Sequence, residues 1–323
     1  MSKIINKLVA LLSLLRPQQY YKNVLIFLGA IFSGKLTEIS LYPSLLVGFV
    51  LLCAMSSVNY IINDLRDREK DRNHPEKMHR PLASGEIPVW AGILLAVVLF
   101  FASIGISFFL IPVPNPNLIF GSQIFKQERV LFTFGLLLVF VTSFLYSMYL
   151  KRIVFADVTL VAINYVWRAV AGCYLITVVV SPWLIVIGFL FALFLSLSKR
   201  RADLAYLESD ALSHRSVFKH YSLDLLDQSL TLTGASLLLS YAMYTFQSAT
   251  AEGGIMILTV PLVSLLLLRY LYVLHSDSKM ARKAERIFLD PFFIIVGLIV
   301  LMITFIDLYI PELVSFLIPT GNS

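Results

Sequence analysis

Residues 42–62, YPSLLVGFVLLCAMSSVNYII, run without a break into Asn63-Asp64-Leu65-Arg66-Asp67-Arg68-Glu69-Lys70-Asp71. The first part is apolar and uncharged over about the 20 residues that a membrane-spanning helix needs. The second part is almost entirely charged. If the helix continues into it, Asp64, Asp67 and Asp71 fall at i, i+3 and i+7 and face the same way. Three carboxylates on one face repel each other, and a cation between them removes the repulsion. Mg²⁺, a hard ion that prefers carboxylate, water and phosphate oxygens, fits such a set. The alternative is a solvated charged loop joining two membrane helices.

Composition extends the membrane reading to the whole chain. Of 323 residues 58% are hydrophobic and only 14% charged, which excludes a soluble globular domain. The many Phe and Tyr residues suit helices that face lipid and anchor in headgroups. A formal charge of +6 would suggest nucleic acid in a soluble protein. Here the basic residues fall in short connections between apolar runs, where orientation and anionic headgroups or substrates account for them, so nucleic acid is not expected as a partner. Cys53 and Cys173 lie inside apolar stretches, with neither a disulfide framework nor zinc spacing. No signal-peptide pattern opens the chain, which is read as unprocessed.

Nine segments approach or meet the spanning requirement: 20–34, 42–62, 89–111, 130–150, 154–176, 182–197, 226–247, 254–274 and 291–310. Residues 1–19 space Lys3 and Lys7 against Ile4, Ile5, Leu8, Leu11, Leu12 and Leu15, a pattern for lying along the interface. Counting Lys and Arg, one side carries four in 1–22, six in 64–88, two at Lys151 and Arg152, five in 198–225 and four in 275–290. The other carries three: Lys35, Lys126 and Arg129. Positive-inside bias therefore puts the N-terminus, the Asn63–Asp71 stretch and the 198–225 connection on the cytoplasmic face. Leu110–Arg129, with Pro112, Pro114 and Pro116, reads as an exposed connector on the opposite side. The expected architecture is all-α: one multi-pass domain over 1–323 in the inner (cytoplasmic) membrane, with nine transmembrane helices around a cytoplasm-facing polar cavity. The 64–88 and 198–225 loops, four helices apart, hint at a pseudo-repeat.

The polar clusters gather on that one face. After Asp71 come Glu76, Lys77 and Arg80, then Pro81 and Gly85 bounding a turn that folds the bases back over the acids. Acids for a metal and bases for the remaining phosphate charge suit a metal–polyphosphate complex. Lys77 and Arg80 read equally well as positive-inside anchors. A second cluster holds Lys199, Arg200, Arg201 and Asp203, followed by Glu208 and Asp210. Lys199 and Asp203, four apart on a helix, form either a surface ion pair or a phosphate and hydroxyl contact alongside Arg200. His214 and His220 lack metal-ligand spacing and read as solvated. Charges at membrane depth are costly and tend to carry a role. Arg168, with Asn164 one turn before it, is the candidate for lining a polar cavity, whereas Asp157 lies near enough to the interface to be merely wet. Lys22 and Asn23 stand at the mouth of the first segment, Tyr146 and Lys151 at the end of the fourth, places where Tyr and Lys usually anchor.

Together these islands resemble a known family. Asn63-Asp64-x-x-Asp67-x-x-x-Asp71 is similar to the first aspartate-rich motif of the UbiA-type intramembrane prenyltransferase superfamily. Within it, the branch represented by decaprenyl-phosphate phosphoribosyltransferase is similar through Arg16-Pro-Gln-Gln-Tyr-Tyr-Lys22-Asn23, the run from Asn63 to Pro75, Arg80-Pro-Leu-Ala-Ser-Gly85, Tyr146-Ser-Met-Tyr-Leu-Lys151, Arg168-Ala-Val-Ala-Gly172 and Lys199-Arg-Arg-Ala-Asp203-Leu. The resemblance implies nine helices and Mg²⁺ held by Asp64, Asp67 and Asp71, with Asn63 beside them in the catalytic motif. It implies that Lys22, Asn23, Lys77, Arg80, Tyr146, Lys151, Arg168, Lys199, Arg200 and Asp203 serve the substrates and their phosphates. The substrates implied are a polyprenyl phosphate and 5-phosphoribosyl 1-diphosphate, in a bilayer where self-association is compatible with the architecture, with a product that enters cell-wall or other glycan precursors. The second Asp-x-x-x-Asp motif of ordinary prenyltransferases is absent, since Leu207 stands four residues after Asp203. That departure favours the phosphoribosyl branch, although Arg201 and Asp203 stand where that branch has Tyr and Glu. An ordinary prenyltransferase acting on an aromatic or other acceptor is the alternative, and a transporter with broken helices a more distant one.

Overall fold

The structure, a computed structural model, describes residues 2–73, 77–112, 127–207, 216–252, 254–276, 287, 289–310 and 312–314. The expectations that rest on His74–Glu76, on most of the Leu110–Arg129 connector, on Glu208, Asp210 and His214, and on the bases of 275–290 lie outside the described residues. The described residues form helices and turns only. In order they are α1 (Ser2–Leu15), a 3₁₀ stretch (Pro17–Phe27), α2 (Leu28–Phe32), α3 (Tyr42–Arg72), α4 (Pro81–Ser84), α5 (Val89–Gly105, continued by a π turn to Leu110), α6 (Gln127–Met148), α7 (Ala156–Leu175), α8 (Pro182–Leu207), α9 (Leu223–Glu252), α10 (Thr259–Ser276) and α11 (Pro291–Tyr309).

Seven helices among the described residues are long and apolar enough to cross a membrane. They match seven of the nine expected segments, and the protein is an integral membrane protein. The other two differ for identifiable reasons. The expected first span, 20–34, is 3₁₀ over its first part and α over only five residues. Arg16 precedes it in the left-handed conformation (φ 55°, ψ 56°) with Pro17 next, so α1 cannot run on into it. At about 2.0 Å rise per residue in 3₁₀ geometry and 1.5 Å in α, the run from Pro17 to Phe32 reaches roughly 30 Å. The expected seventh, 226–247, is the 30-residue α9, whose interior carries Ser229, Thr231, Thr233, Gly234, Ser236 and Ser240 and is too polar to count among the seven.

α3 has 31 residues, about 46 Å of helix against a hydrocarbon core of about 30 Å. Roughly ten residues are left over, and these are the charged ones: the stretch expected to open a loop at Asp64 stays helical to Arg72. Arg, Lys and Glu are good helix formers, so nothing in the sequence stops the helix sooner. α8 likewise carries Lys199–Asp203 on its final turns.

Contacts divide the chain into two compact units, Met1–Met148 with Asn164–Val180, and Tyr149–Ile163 with Ser181–Ser323. In the first unit Ile26, Leu52, Met55, Phe132, Leu136 and Leu175 are fully buried together. Gly172 is decisive there, because a Cβ on it would lie 2.0 Å from the carbonyl oxygen of Ile26. Only glycine lets the 17–27 segment rest directly on α7. In the second unit Phe194, Phe218, Leu226, Tyr270 and Leu274 form the core, and Asp290 caps α11 by accepting from Phe292 N at 2.9 Å with Pro291 at its first position.

Candidate active site

In the first unit the polar centre lies on the end of α3. Asp64 and Asp71 are buried, while Asn63 and Asp67 are partly exposed. A 3.6-residue helix explains the difference: residues seven apart almost superpose, whereas Asp67 stands about 60° round from Asp64. The expected triad of acids is accordingly not gathered, and among the described residues no three His, Cys, Asp or Glu side chains stand ready to hold a metal ion. Instead a single charged atom, Arg80 Nη1, donates to Asp64 Oδ1 at 2.9 Å and to Asp71 Oδ2 at 2.7 Å. Arg16 Nη2 donates to the same Asp64 oxygen at 2.5 Å, and its guanidinium lies 5.2 Å from the Tyr60 ring centre.

Local sequence sets this arrangement. Arg68 Nε and Arg72 Nε donate to the carbonyls of Leu82 and Ala83, each at 3.1 Å, and so fasten α4 along α3. Arg66 reaches the Ser147 carbonyl. Arg80 stands at the N-cap of α4 with extended backbone, Pro81 occupies the first helical position, and Gly85 closes the turn at φ 84°. The Arg-Pro-Leu-Ala-Ser-Gly run is thus a short helix with both ends specified, and it delivers Arg80 to the acids. Arg16 pays a conformational cost of about 1 kcal/mol or more for its left-handed backbone, a strain of the kind that persists only where its surroundings hold it. Its ion pair with buried Asp64 is such a restraint.

The acids fit Mg²⁺ in one particular way. Their oxygens are hard donors, and Arg80 Nη1 shows that one position can be bonded by both. Mg²⁺ is usually bound by one or two carboxylates completed by water and substrate phosphates. Asp64 and Asp71 meet that description, whereas a cage of three protein carboxylates does not describe this site.

Deeper in the same unit, Asn23 is fully buried and accepts from Arg168 Nε at 2.8 Å, while Arg168 Nη1 donates to the Asn164 carbonyl at 3.2 Å. Asn23 Nδ2 donates to Cys53 Sγ at 3.2 Å, and Asn164 Nδ2 donates to the Val139 carbonyl, Thr142 and Ser143. Arg168, expected to line a cavity, is 5% exposed with protein partners, and it ties α7 to the 17–27 segment. Lys22, Lys77 and Tyr146 are half-buried, and the Lys22 ammonium lies 5.7 Å from the Tyr21 ring centre.

In the second unit Arg200 departs from expectation. Its Nε donates to Asp157 Oδ2 at 2.7 Å, and both side chains are buried, so the two form an internal ion pair. Asp157, expected to be wet, is wholly buried. Tyr221 completes the set, donating its hydroxyl to Asp157 Oδ1 at 2.8 Å and accepting from Phe155 N at 2.8 Å. Burial chiefly, reinforced by the Asp157 carboxylate, pushes the Tyr221 phenol above its usual range, so it remains a donor. Arg201 Nε turns to Asp227 at 3.0 Å and its Nη1 to the Leu274 carbonyl at 3.1 Å. Of this cluster Lys199 is exposed, with Asp203 and, beyond α6, Lys151 half-buried. Arg16, Asp157 and Tyr221 were not singled out as site residues from sequence. Their partners lie 48, 43 and 64 residues away, beyond the reach of any spacing rule.

The family model for "UbiA prenyltransferase family" matches residues 23–297. A decaprenyl-phosphate phosphoribosyltransferase of Mycobacterium tuberculosis is 27% identical over 286 residues, 87% of this chain and 88% of the relative. One of Mycolicibacterium smegmatis is 29% identical over 251 residues, 76% and 73% of the two chains. Among solved structures, a UbiA homolog from Archaeoglobus fulgidus bound to DMAPP and Mg²⁺ superposes with a TM-score of 0.64 at 21% identity, covering 92% of this chain and 98% of that one.

Proposed function

Since this chain belongs to the UbiA prenyltransferase family and is a membrane-bound transferase, we propose that it moves a 5-phosphoribosyl group from 5-phosphoribosyl 1-diphosphate to a polyprenyl phosphate, releasing diphosphate. The observation that carries this reading is the name borne by relatives aligned over most of the chain, decaprenyl-phosphate phosphoribosyltransferase, on a chain whose α8 lacks a second Asp-x-x-x-Asp motif. A divalent metal is supported by the solved relatives: two are bound to Mg²⁺ with DMAPP or GPP, and one to Cd²⁺.

In this reaction an oxygen of the lipid phosphate attacks the anomeric carbon of ribose. The bond from that carbon to the diphosphate breaks, and its electron pair leaves with the diphosphate. Negative charge grows on the leaving group while the sugar gains oxocarbenium character. Asp64 and Asp71, with Asp67 and Asn63 beside them, would hold Mg²⁺, which when bound neutralises charge on the leaving diphosphate. Arg16 and Arg80 sit where fixed positive charge stabilises the same developing anion. Lys22, Lys77, Lys151 and Lys199 would serve the 5-phosphate and the lipid phosphate, with Tyr146 and Asp203 as hydroxyl partners. The attacking phosphate is already anionic, so no general base is required. Orientation follows positive-inside counting, which puts the charged ends of α3 and α8 on the cytoplasmic side, where a water-soluble donor meets a lipid-held acceptor.

One observation favours a second reading. The solved relatives are bound to DMAPP and GPP, lipids that themselves carry the diphosphate. In that reaction the lipid is the electrophile. Purified protein with Mg²⁺ separates the two when given polyprenyl phosphate with ribose-labelled phosphoribosyl diphosphate, or polyprenyl diphosphate with an aromatic acid. Ribose label entering the lipid extract supports the first reading. A prenylated acid from the second mixture, with an unlabelled lipid extract from the first, overturns it.

A further inference from the structure

We propose that Arg16 and Arg80 are resident counter-ions that make metal entry conditional on diphosphate, so that the divalent ion enters as its diphosphate complex and not ahead of it. This rests on the reading above that the acidic face of α3 takes a metal–diphosphate complex. Two carboxylates, Asp64 and Asp71, are met by two guanidinium groups through three contacts of 2.5–2.9 Å. The two from Arg80 lie in the range of strong charge-assisted bonds, and the one from Arg16 is shorter still. The carboxylate side chains are 3% and 5% exposed, whereas Arg16 and Arg80 are 20% and 27% exposed. The bases therefore lie on the accessible side, over the acids.

A bare Mg²⁺ approaching this quartet meets positive charge first and finds the carboxylates already neutralised. Taking the carboxylates would also leave two guanidinium groups beside the ion without these acceptors. A diphosphate removes both obstacles. Its oxygens complete the metal's ligand set, and they give the two guanidinium groups new acceptors that match their fork geometry. Each acid then exchanges a guanidinium for the metal, and each guanidinium exchanges a carboxylate for phosphate. Backbone need not move at Arg80, because α4 stays fastened to α3 by Arg68 and Arg72. Product release runs the exchange backwards: once diphosphate leaves, the arginines return to the acids and expel the ion.

Mn²⁺ retained by detergent-purified protein in equilibrium dialysis, with and without inorganic diphosphate, tests this without turnover. Wild type should retain Mn²⁺ at least tenfold more tightly when diphosphate is present. Arg80→Gln should bind Mn²⁺ alone about tenfold more tightly than wild type and lose most of the diphosphate dependence, whereas Arg80→Lys, which keeps the charge, should retain that dependence. Equal Mn²⁺ retention by wild type with and without diphosphate overturns the proposal while leaving the metal reading standing. An Arg80→Gln protein whose Mn²⁺ affinity matches wild type overturns the role of Arg80. If wild type retains no Mn²⁺ under either condition, the metal-site reading itself fails.

Discussion

Asp157→Ala removes the carboxylate at the centre of the Arg200–Asp157–Tyr221 set. Arg200 is left 6% exposed with its charge no longer matched by Asp157, an effect of about 3–5 kcal/mol for breaking a buried pair from one side. The Tyr221 hydroxyl loses its acceptor as well, about 1 kcal/mol. Together these amount to a large share of a typical folding stability of roughly 5–15 kcal/mol. Asp157→Asn keeps an acceptor but not the charge and should cost about 1.5–3 kcal/mol, the range of a hydrogen bond to a charged group. Replacing both partners, Asp157→Leu with Arg200→Met, removes the stranded charge and should recover most of the loss. Thermal unfolding of detergent-purified protein reads the series, with Asp157→Ala expected to melt on the order of 10 °C below wild type. Transfer activity of the double variant then separates structural from chemical roles. If Arg200 only supports the end of α8, the double variant works within a few-fold of wild type. A double variant that melts like wild type yet loses transfer by more than a hundredfold would refute this and return Arg200 to the phosphate site. Wild-type melting of Asp157→Ala would refute the buried pair itself.

Three further outcomes follow from the same geometry. Asp64→Ala and Asp71→Ala should each lower Mg²⁺-dependent transfer by at least about a hundredfold, since metal stabilisation of the leaving group contributes several kcal/mol, and a steady-state assay with a Mg²⁺ titration checks it. Gly172→Ala should destabilise by more than the roughly 1–3 kcal/mol of ordinary overpacking, because the added methyl meets the Ile26 carbonyl, and unfolding in detergent measures it. Tyr221 has its folded pKa raised above the unfolded phenol value of 10.0, so its contribution is fully present below pH 10 and is lost as pH rises above it. Stability should fall on that alkaline side, with a shallower slope in Tyr221→Phe when melting is followed from pH 8 to about 11.

What sequence conveys here is whatever periodicity and composition encode. The apolar run before Asp64, the charged continuation, and the shared face of Asp64 and Asp71 are all properties of one helix, and all were legible. Asp67 separates from its neighbours through the same helical arithmetic, carried one step further than a shared-face argument takes it. The first segment reads as an ordinary span in the sequence, and it is 3₁₀ followed by a short α-helix because a left-handed Arg16 before Pro17 changes helix type without changing composition. α9 has the length of a span, and its Ser and Thr residues lower its hydropathy below that of the seven. The pairings Arg16–Asp64 and Arg200–Asp157 join residues far apart in the chain, and only tertiary structure selects them from among 26 basic and 20 acidic residues. Arg200 illustrates the cost of that gap: beside Lys199 on a helix end it has the chemistry of a phosphate ligand, and only the burial of Asp157 shows where it turns.

The most direct test of the account uses a doubly labelled reaction: polyprenyl phosphate carrying radiolabelled phosphorus, and phosphoribosyl diphosphate labelled in the ribose carbons, incubated with purified protein and Mg²⁺. The account predicts one lipid product holding both labels in equimolar amount, with unlabelled diphosphate released in step. Label from the lipid phosphate appearing in the aqueous phase, or ribose label that never enters the lipid while a prenyl group is transferred elsewhere, would contradict it.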